Sequence, residues 1–247
     1  MQIRLGEKMK VIRLKEAEST NSYAKDNIDN YEDKTVIIAE KQTAGRGRLN
    51  RSWVDLGPNN LFLSFILKPS DTFNEFYPNL TQYLSVVLCK VLEKYNLNAQ
   101  IKWPNDVLID NKKIAGILSE TVMQGKILKG IILGIGVNLN ANKEDIDSIP
   151  DKIATSLNLE TGKTINLDDF LKKLTGEFFN GYETFLKTGF IGIKKDYLNR
   201  NCFLNKELHV KIFDKEKSGL AKSVNDRGEL VLIKDNKESV LTIGDIL

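Results

Sequence analysis

Thr35-Val36-Ile37-Ile38-Ala39-Glu40 runs directly into Lys41-Gln42-Thr43-Ala44-Gly45-Arg46-Gly47-Arg48-Leu49-Asn50-Arg51-Ser52-Trp53. The first six residues are apolar and rich in β-branched side chains, so they predict a buried strand. The strand delivers the chain to a loop with four cations, Lys41, Arg46, Arg48 and Arg51, and no acidic residue between the first and the last. Glycine lets a backbone approach a ligand closely. Arginine supplies a planar, permanently charged fork suited to carboxylate and phosphate. Alternating the two makes a loop that can wrap an anion. It has no Gly-Lys-Ser/Thr ending and so is not a P-loop, and it lacks the GxGxxG spacing of a dinucleotide fold. Anion binding would come from guanidinium groups and exposed amides. A carboxylate and an ATP phosphate could meet there, with fixed cations lowering their mutual repulsion.

Strands and helices follow on both sides of this loop. Val11 to Leu14 reads as a strand that enters Ser19-Thr20-Asn21, which caps a helix continuing through Ala24. Leu61 to Leu67 is a second strong strand. Tyr77 to Tyr95 has helical spacing, and Gln100 to Trp103 ends in a Pro-Asn-Asp turn. Val107–Ile109 and Ile114–Thr121 flank a predicted hairpin at Asp110-Asn111-Lys112-Lys113, and Lys126–Leu139 is strand-like. Ile153–Leu157 and Leu167–Leu186 read as helices covering the sheet. From about Asn205 the chain changes to short strands, Leu208–Phe213, Gly219–Val224, Glu229–Ile233 and Ser239–Ile243, with a hairpin turn at Asn225-Asp226-Arg227-Gly228. The predicted architecture is α+β: a mixed β-sheet with helices on one face, then a compact all-β unit resembling a small barrel.

Composition narrows the chemistry. The 247 residues are 41% hydrophobic and 28% charged, ordinary for a globular chain. A net charge of +3 is too small to indicate a nucleic-acid binder. The basic signal is local, which suits a small anion. Two cysteines, Cys89 and Cys202, lie far apart in hydrophobic surroundings, the usage of a reducing cytosol. No signal sequence or membrane-spanning run is evident, so a cytoplasmic protein without membrane contact is expected. The single histidine, His209, is remote from both motifs, which argues against histidine-dependent catalysis.

A second constellation sharpens the site: Lys102-Trp103-Pro104-Asn105-Asp106, followed by Lys113-Ile114-Ala115-Gly116-Ile117. Asn105 and Asp106 project from a turn. That carboxylate could hold Mg²⁺, or orient and deprotonate an incoming amine, and the same residues also suit a plain Asx turn. On a regular strand Lys113 and Gly116 would face opposite sides. Ser19-Thr20-Asn21 offers hydroxyl and amide groups able to read a polar, uncharged head group. Gly134-Ile135-Gly136-Val137-Asn138 admits either a ligand against the strand backbone or tight sheet packing.

Taken together with Glu18, Gln42 to Arg48 and Leu118, these motifs resemble biotin protein ligases in order and spacing, from about Val11 to the end of the chain. The resemblance implies a class II synthetase-like biotin/lipoyl ligase catalytic domain at 1–202 and an SH3-like domain at 203–247. It implies that biotin and Mg·ATP, with Mg²⁺ as the metal, are converted to biotinyl-5′-AMP and pyrophosphate. The biotinyl group then passes to one lysine of a biotin carboxyl carrier domain. On that resemblance Ser19, Thr20, Asn21 and Gln42 contact biotin, Gly45 to Arg48 (through Gly47) close over it, and Gly116 lines its pocket. Arg46 and Arg48 hold the adenylate and Arg51 the ATP phosphates, while Lys113 bridges the biotin carboxyl and the α-phosphate. Asn105 and Asp106 sit near ATP and the acceptor lysine, Asp106 as base or orienting group. Trp53, Lys102, Trp103 and Asn138 surround the nucleotide.

The family usually has a second glycine-arginine pair in the loop, where this chain has Asn50-Arg51, so adenylate retention is the property in question. Larger members carry an N-terminal helix-turn-helix domain, which Met1 to Lys10 is too short to hold. A short form without DNA binding is therefore expected, with a homodimer admissible. Two other readings stay open: a lipoate-type ligase with the same adenylation logic, and a catalytically weak biotin-binding regulator.

Overall fold

The computed structural model describes residues 2–4, 9–49, 51–69, 72–149 and 153–247. Eight of its strands are β1 (Gln2–Arg4), β2 (Lys10–Ala17), β3 (Thr35–Gln42), β4 (Leu61–Leu67), β5 (Ala99–Lys102), β6 (Asp106–Ile109), β7 (Lys112–Gln124) and β8 (Ile127–Val137). Among the described residues they form one mixed sheet, ordered β1-β2-β3-β4-β8-β7-β6-β5. Only β2 and β3 run parallel, linked by the short helix α1 (Thr20–Asp26). The strand expected at Leu61–Leu67 has those bounds, and all seven of its residues are buried because it lies mid-sheet with both faces covered.

The two faces of the sheet differ. One packs against α2 (Leu80–Glu93) and α5 (Leu167–Asn199), with Phe65 stacked on Phe178 at 4.3 Å and Tyr83 on Phe185 at 4.7 Å. Truncating such a buried ring typically costs about 3–5 kcal/mol. The span α5 is two helical segments meeting at a kink: the first ends close to the expected Leu186, and a second, not expected, follows after Gly189. That residue has φ 57° and ψ −146°, and the Phe76 ring fills the space a Cβ would need. The opposite face carries α1 over Ile37, Ile66 and Ile132. Farther along that face β4 and β8 change from branched apolar residues to Ser64, Gly134 and Gly136, leaving a recess beside α1.

Asp110 and Asn111, both with positive φ (47° and 62°), make the two-residue turn between β6 and β7. The expected helix at Ile153–Leu157 is absent. Ile153 to Thr155 is extended and bonds the backbone of Lys113, with Lys113 N–H donating to Ile153 O and Thr155 N–H to Lys113 O, both at 2.9 Å. Lys113 is paired with Leu108 of β6, but the β7–β8 ladder ends at Ala115 and Val137, so Lys113 lacks a partner on the β8 side and this segment supplies one. Helix α4 (Leu157–Thr161) starts only after Ser156. A five-residue helix, α3 (Lys143–Asp147), closed by a capping box between Asn142 and Asp145, was not expected.

The C-terminal strands are β9 (Glu207–Ile212), β10 (Lys215–Val224), β11 (Leu230–Lys234), β12 (Lys237–Leu241) and β13 (Asp245–Ile246). They make an antiparallel sheet ordered β12-β11-β10-β9-β13. The Asn225–Gly228 turn forms as expected and docks onto the main body. Asn79 Nδ2 donates to Arg227 O (2.9 Å), while Gln82 Nε2 (2.8 Å) and Trp103 Nε1 (3.0 Å) both donate to Gly228 O. Gly228 has φ 77°, and a Cβ there would lie 2.5 Å from the Asn79 and Gln82 side chains. This docking brings β13 to the mouth of the recess.

Candidate active site

The recess is a cavity of about 560 Å³ bounded by α1, the Gly/Arg loop, β7, β8 and β13. Its floor is the cross-strand pair Gly116 and Gly136, with Gly134 beside them. A Cβ at Gly136 would overlap the Trp53 indole, one at Gly116 would come within 2.8 Å of it, and one at Gly134 would overlap the Asn21 amide. The floor is therefore bare backbone because aromatic and amide groups lie directly on it.

One end is polar and neutral. Ser19, Thr20, Asn21, Gln42 and Ser64 are all buried there. Thr20 N–H donates to Gln42 Oε1 at 2.8 Å, and the Ser64 hydroxyl lies 2.6 Å from Asn21 Oδ1 and 2.8 Å from the Thr20 hydroxyl. Asn21 Nδ2 donates to Glu120 Oε2 (3.0 Å) and Leu118 O (3.3 Å). Buried polar groups are tolerated when bonded in this way. Their remaining lone pairs and protons can read an uncharged head group.

The other end is cationic. The Gly/Arg loop folds as a small hairpin: Trp53 N–H donates to Gly45 O (2.9 Å), Gly47 N–H to Arg51 O (2.7 Å), and Arg46 bridges Ser52. Arg46 pairs with Glu120 at 3.0 Å, Arg48 and Arg51 with the two oxygens of Asp245 at 3.0 and 3.1 Å, and Lys113 with Asp106 at 2.7 Å. Burial pushes the Arg48 guanidinium down from its ordinary range, opposed by Asp245 and then Asp106 and reinforced by Arg51. Lys102 lines the cavity with no ion-pair partner among the described residues. Lys41 points away, onto Glu16 at 2.8 Å.

Lys113 reaches this end through a β-bulge. Val107 pairs Ala115 but Leu108 pairs Lys113, which leaves Ile114 as the extra residue. Ile114 and Ala115 both enter the core, so Lys113 emerges on the same face as Gly116, whose added Cβ would lie 3.2 Å from Lys113 Nζ. The expectation for a regular strand, opposite faces, is overturned by that one residue. Asn105 fixes the neighbouring turn: Nδ2 donates to Ile117 O at 2.6 Å, and Oδ1 accepts from Arg48 at 3.0 Å.

Most of the residues singled out from sequence line the cavity: Ser19, Thr20, Asn21, Gln42, Arg46, Gly47, Arg48, Arg51, Trp53, Lys102, Asn105, Asp106, Lys113 and Gly116. Three stand outside its lining. Gly45 sits behind the loop, where a Cβ would overlap Trp53 O. Trp103 is buried with its indole N–H committed to Gly228. Asn138 is buried, its amide donating to Thr155 O at 3.0 Å. Asn50, on which loop closure was questioned, lies outside the described residues. Sequence reasoning missed Ser64, Glu120 and Asp245. Ser64 alone carried a signal, as the one hydroxyl in an otherwise apolar strand.

The chain belongs to the biotin/lipoate A/B protein ligase family, whose sequence pattern matches residues 13–138. Within it, the chain is 31% identical to the bifunctional ligase/repressor BirA of Bacillus spizizenii over 80% of its own length, and spans 61% of that relative. It is 29% identical to the biotin–[acetyl-CoA-carboxylase] ligase of Paracoccus denitrificans, covering 89% of this chain and 92% of the relative. Its fold matches biotin protein ligase from Aquifex aeolicus, solved in complex with biotin and ATP. There the TM-score is 0.77 at 27% identity, over 96% of this chain and 97% of the other.

Proposed function

We propose that this protein is an ATP-dependent biotin protein ligase that adenylates biotin and transfers it to a lysine of a biotin carboxyl carrier domain. The observation that carries this reading is one cavity with a buried neutral polar nest at one end and Arg46, Arg48, Arg51, Lys102 and Lys113 at the other. Biotin needs both ends. Its ureido head is polar and uncharged, and its carboxylate must meet the α-phosphate of ATP against charge repulsion. The names of the Paracoccus and Aquifex relatives support it.

In this reading Ser19, Thr20, Asn21 and Gln42 hold the head group, and Gly116 admits the molecule against the floor. Gly45 to Arg48 cover it. The biotin carboxylate oxygen attacks the α-phosphorus, and the bond to the bridging oxygen breaks to release pyrophosphate. Lys113, Arg46 and Arg48 stabilise the charge on the non-bridging oxygens, worth about 10²–10³ in rate for a well-placed donor. Arg51, Trp53, Lys102 and Asn105 contact the nucleotide, with Trp103 and Asn138 acting from behind the wall. No cluster of three or more metal-ligating side chains lies among the described residues, so Mg²⁺ would be held chiefly by the ATP phosphates, with Asp106 the cavity carboxylate placed to assist, and would neutralise phosphate charge. In the second step the acceptor lysine Nζ attacks the biotinyl carbonyl, and AMP leaves. Asp106, released from Lys113 once that cation turns to the phosphate, takes the amine proton.

The catalytic unit is assigned to 1–202 and the β unit to 203–247, and a cytoplasmic location accords with the unpaired Cys89 and Cys202. No helix among the described residues is long and apolar enough to cross a membrane. The test is biotin-dependent exchange of labelled pyrophosphate into ATP, with lipoate run in parallel. Exchange with biotin alone is the expected result. Exchange with lipoate alone moves the protein to the sister activity, and tight biotin binding without exchange moves it to a regulator.

A further inference from the structure

Glu120 lies on β7 on the face that carries Gly116 and Leu118, between the two ends of the cavity. Its side chain is only 16% exposed, and its two oxygens do different work. Oε2 accepts from Asn21 Nδ2 at 3.0 Å, inside the polar nest, and Oε1 meets the Arg46 guanidinium at 3.0 Å, in the Gly/Arg loop. An ionised carboxylate is an acceptor only. It therefore dictates which way the Asn21 amide faces. Nδ2 is spent on Glu120 and Leu118 O, while Oδ1 is turned over Gly134 beside Ser64. The nest then offers an amide oxygen to a ligand, which suits a head group with N–H donors.

We infer that Glu120 is a positioning residue that couples head-group recognition to closure of the Gly/Arg loop. The inference rests on the biotin ligase reading of the same cavity. One carboxylate holds Asn21 in its acceptor orientation and tethers Arg46. Losing it relaxes both the ligand's head group and the loop that retains the adenylate. A glutamine has one side-chain acceptor oxygen and one amino group, so it can serve Asn21 or Arg46 but not both.

The test compares wild type with Glu120→Gln and Glu120→Ala in biotin-dependent pyrophosphate exchange. It also follows the loss of preformed adenylate from the enzyme without a carrier, and the Tm. Both variants are expected to raise the biotin KM and speed adenylate loss, each about tenfold, one contact's worth of binding. The ATP KM should stay within about twofold and the Tm within a few degrees, as for a partly exposed ion pair. A fall in Tm with both the biotin KM and adenylate lifetime unchanged overturns the proposal, as does movement of only one of them. Absence of biotin-dependent exchange in the wild type overturns the functional reading and this role with it. Normal exchange with neither parameter shifted in either variant overturns the role of Glu120 alone.

Discussion

Arg48 and Asp245, 197 residues apart in sequence, lie 3.0 Å apart, and the second oxygen of Asp245 holds Arg51 at 3.1 Å. A carboxylate from the last strand thus keeps two mutually repelling arginines of the Gly/Arg loop at a fixed spacing. Replacing it (Asp245→Ala) leaves Arg48 largely buried with Arg51 as its neighbour. The cost falls between the exposed and buried limits for ion pairs, about 1–3 kcal/mol. That lowers Tm by about 2–4 °C per kcal/mol in a chain of this size. The ATP KM is expected to rise about tenfold, because the loop cations lose their alignment. A lower Tm with an unchanged ATP KM would make the clamp structural only.

Gly134→Ala tests the floor. The new methyl overlaps the Asn21 amide in a strand whose φ any residue adopts, so the effect is steric and local. Biotin affinity measured by titration calorimetry should fall at least about tenfold, or 1.4 kcal/mol. Far-UV circular dichroism should be unchanged. Wild-type affinity would mean that Asn21 does not read the ligand.

Lys113→Ala removes the cation that the β-bulge brings beside Gly116. Single-turnover adenylate formation should slow by about 10²–10³, as for loss of one charge-stabilising donor, with biotin affinity much less affected. If binding falls as far as the rate, the lysine serves the ground state.

The docking of the C-terminal sheet is tested at Gly228, whose φ of 77° and crowding against Asn79 and Gln82 exclude a side chain. Gly228→Ala is expected to destabilise by more than about 1 kcal/mol, and to raise the ATP KM, because Asp245 is carried by the same sheet. Trp103→Phe removes the N–H donated to Gly228 O together with part of a buried ring system, so it should also destabilise, by about 1 kcal/mol for the hydrogen bond and a further cavity cost of similar size. A stability loss without any change in the ATP KM would uncouple this turn from the site.

Glu160 fixes the segment that supports Lys113, accepting from Lys112 and from the Thr155 hydroxyl at 2.5 Å. Burial alone would raise its pKa, but the Lys112 and Thr155 hydrogen bonds and the Lys112 charge outweigh it and leave it below the ordinary value. The folded state therefore favours the ionised form. This stability is present above the unfolded carboxylate pKa, about 4.3, and is lost as pH falls through the lower folded value. The Tm difference between wild type and Glu160→Gln should be constant from neutral pH to about pH 5 and close below that. A gap that persists in acid would show that the charge is not its source.

Local pattern alone determined much of this protein. Leu61–Leu67 is a strand because seven consecutive apolar or small residues can be satisfied only mid-sheet. The Gly/Arg loop, the Asp110-Asn111 turn and the Ser19-Thr20-Asn21 helix start are written in residues with strong conformational or charge preferences. These fix the strands and the turns, whereas most of the cavity's lining is recognised through the likeness of the combined motifs to biotin protein ligases. Tertiary structure decided the rest. The bulge at Ile114 turned Lys113 to the side of Gly116, and Ile153–Thr155 became extended to pair the Lys113 backbone beyond the end of the β7–β8 ladder. Trp103 left the cavity to hold Gly228, while Glu120 and Asp245 entered as the partners of Arg46, Arg48 and Arg51. Periodicity reports which face a residue takes only while the register is regular. Which carboxylate meets which arginine depends on contacts between segments up to 197 residues apart, and no local preference encodes them.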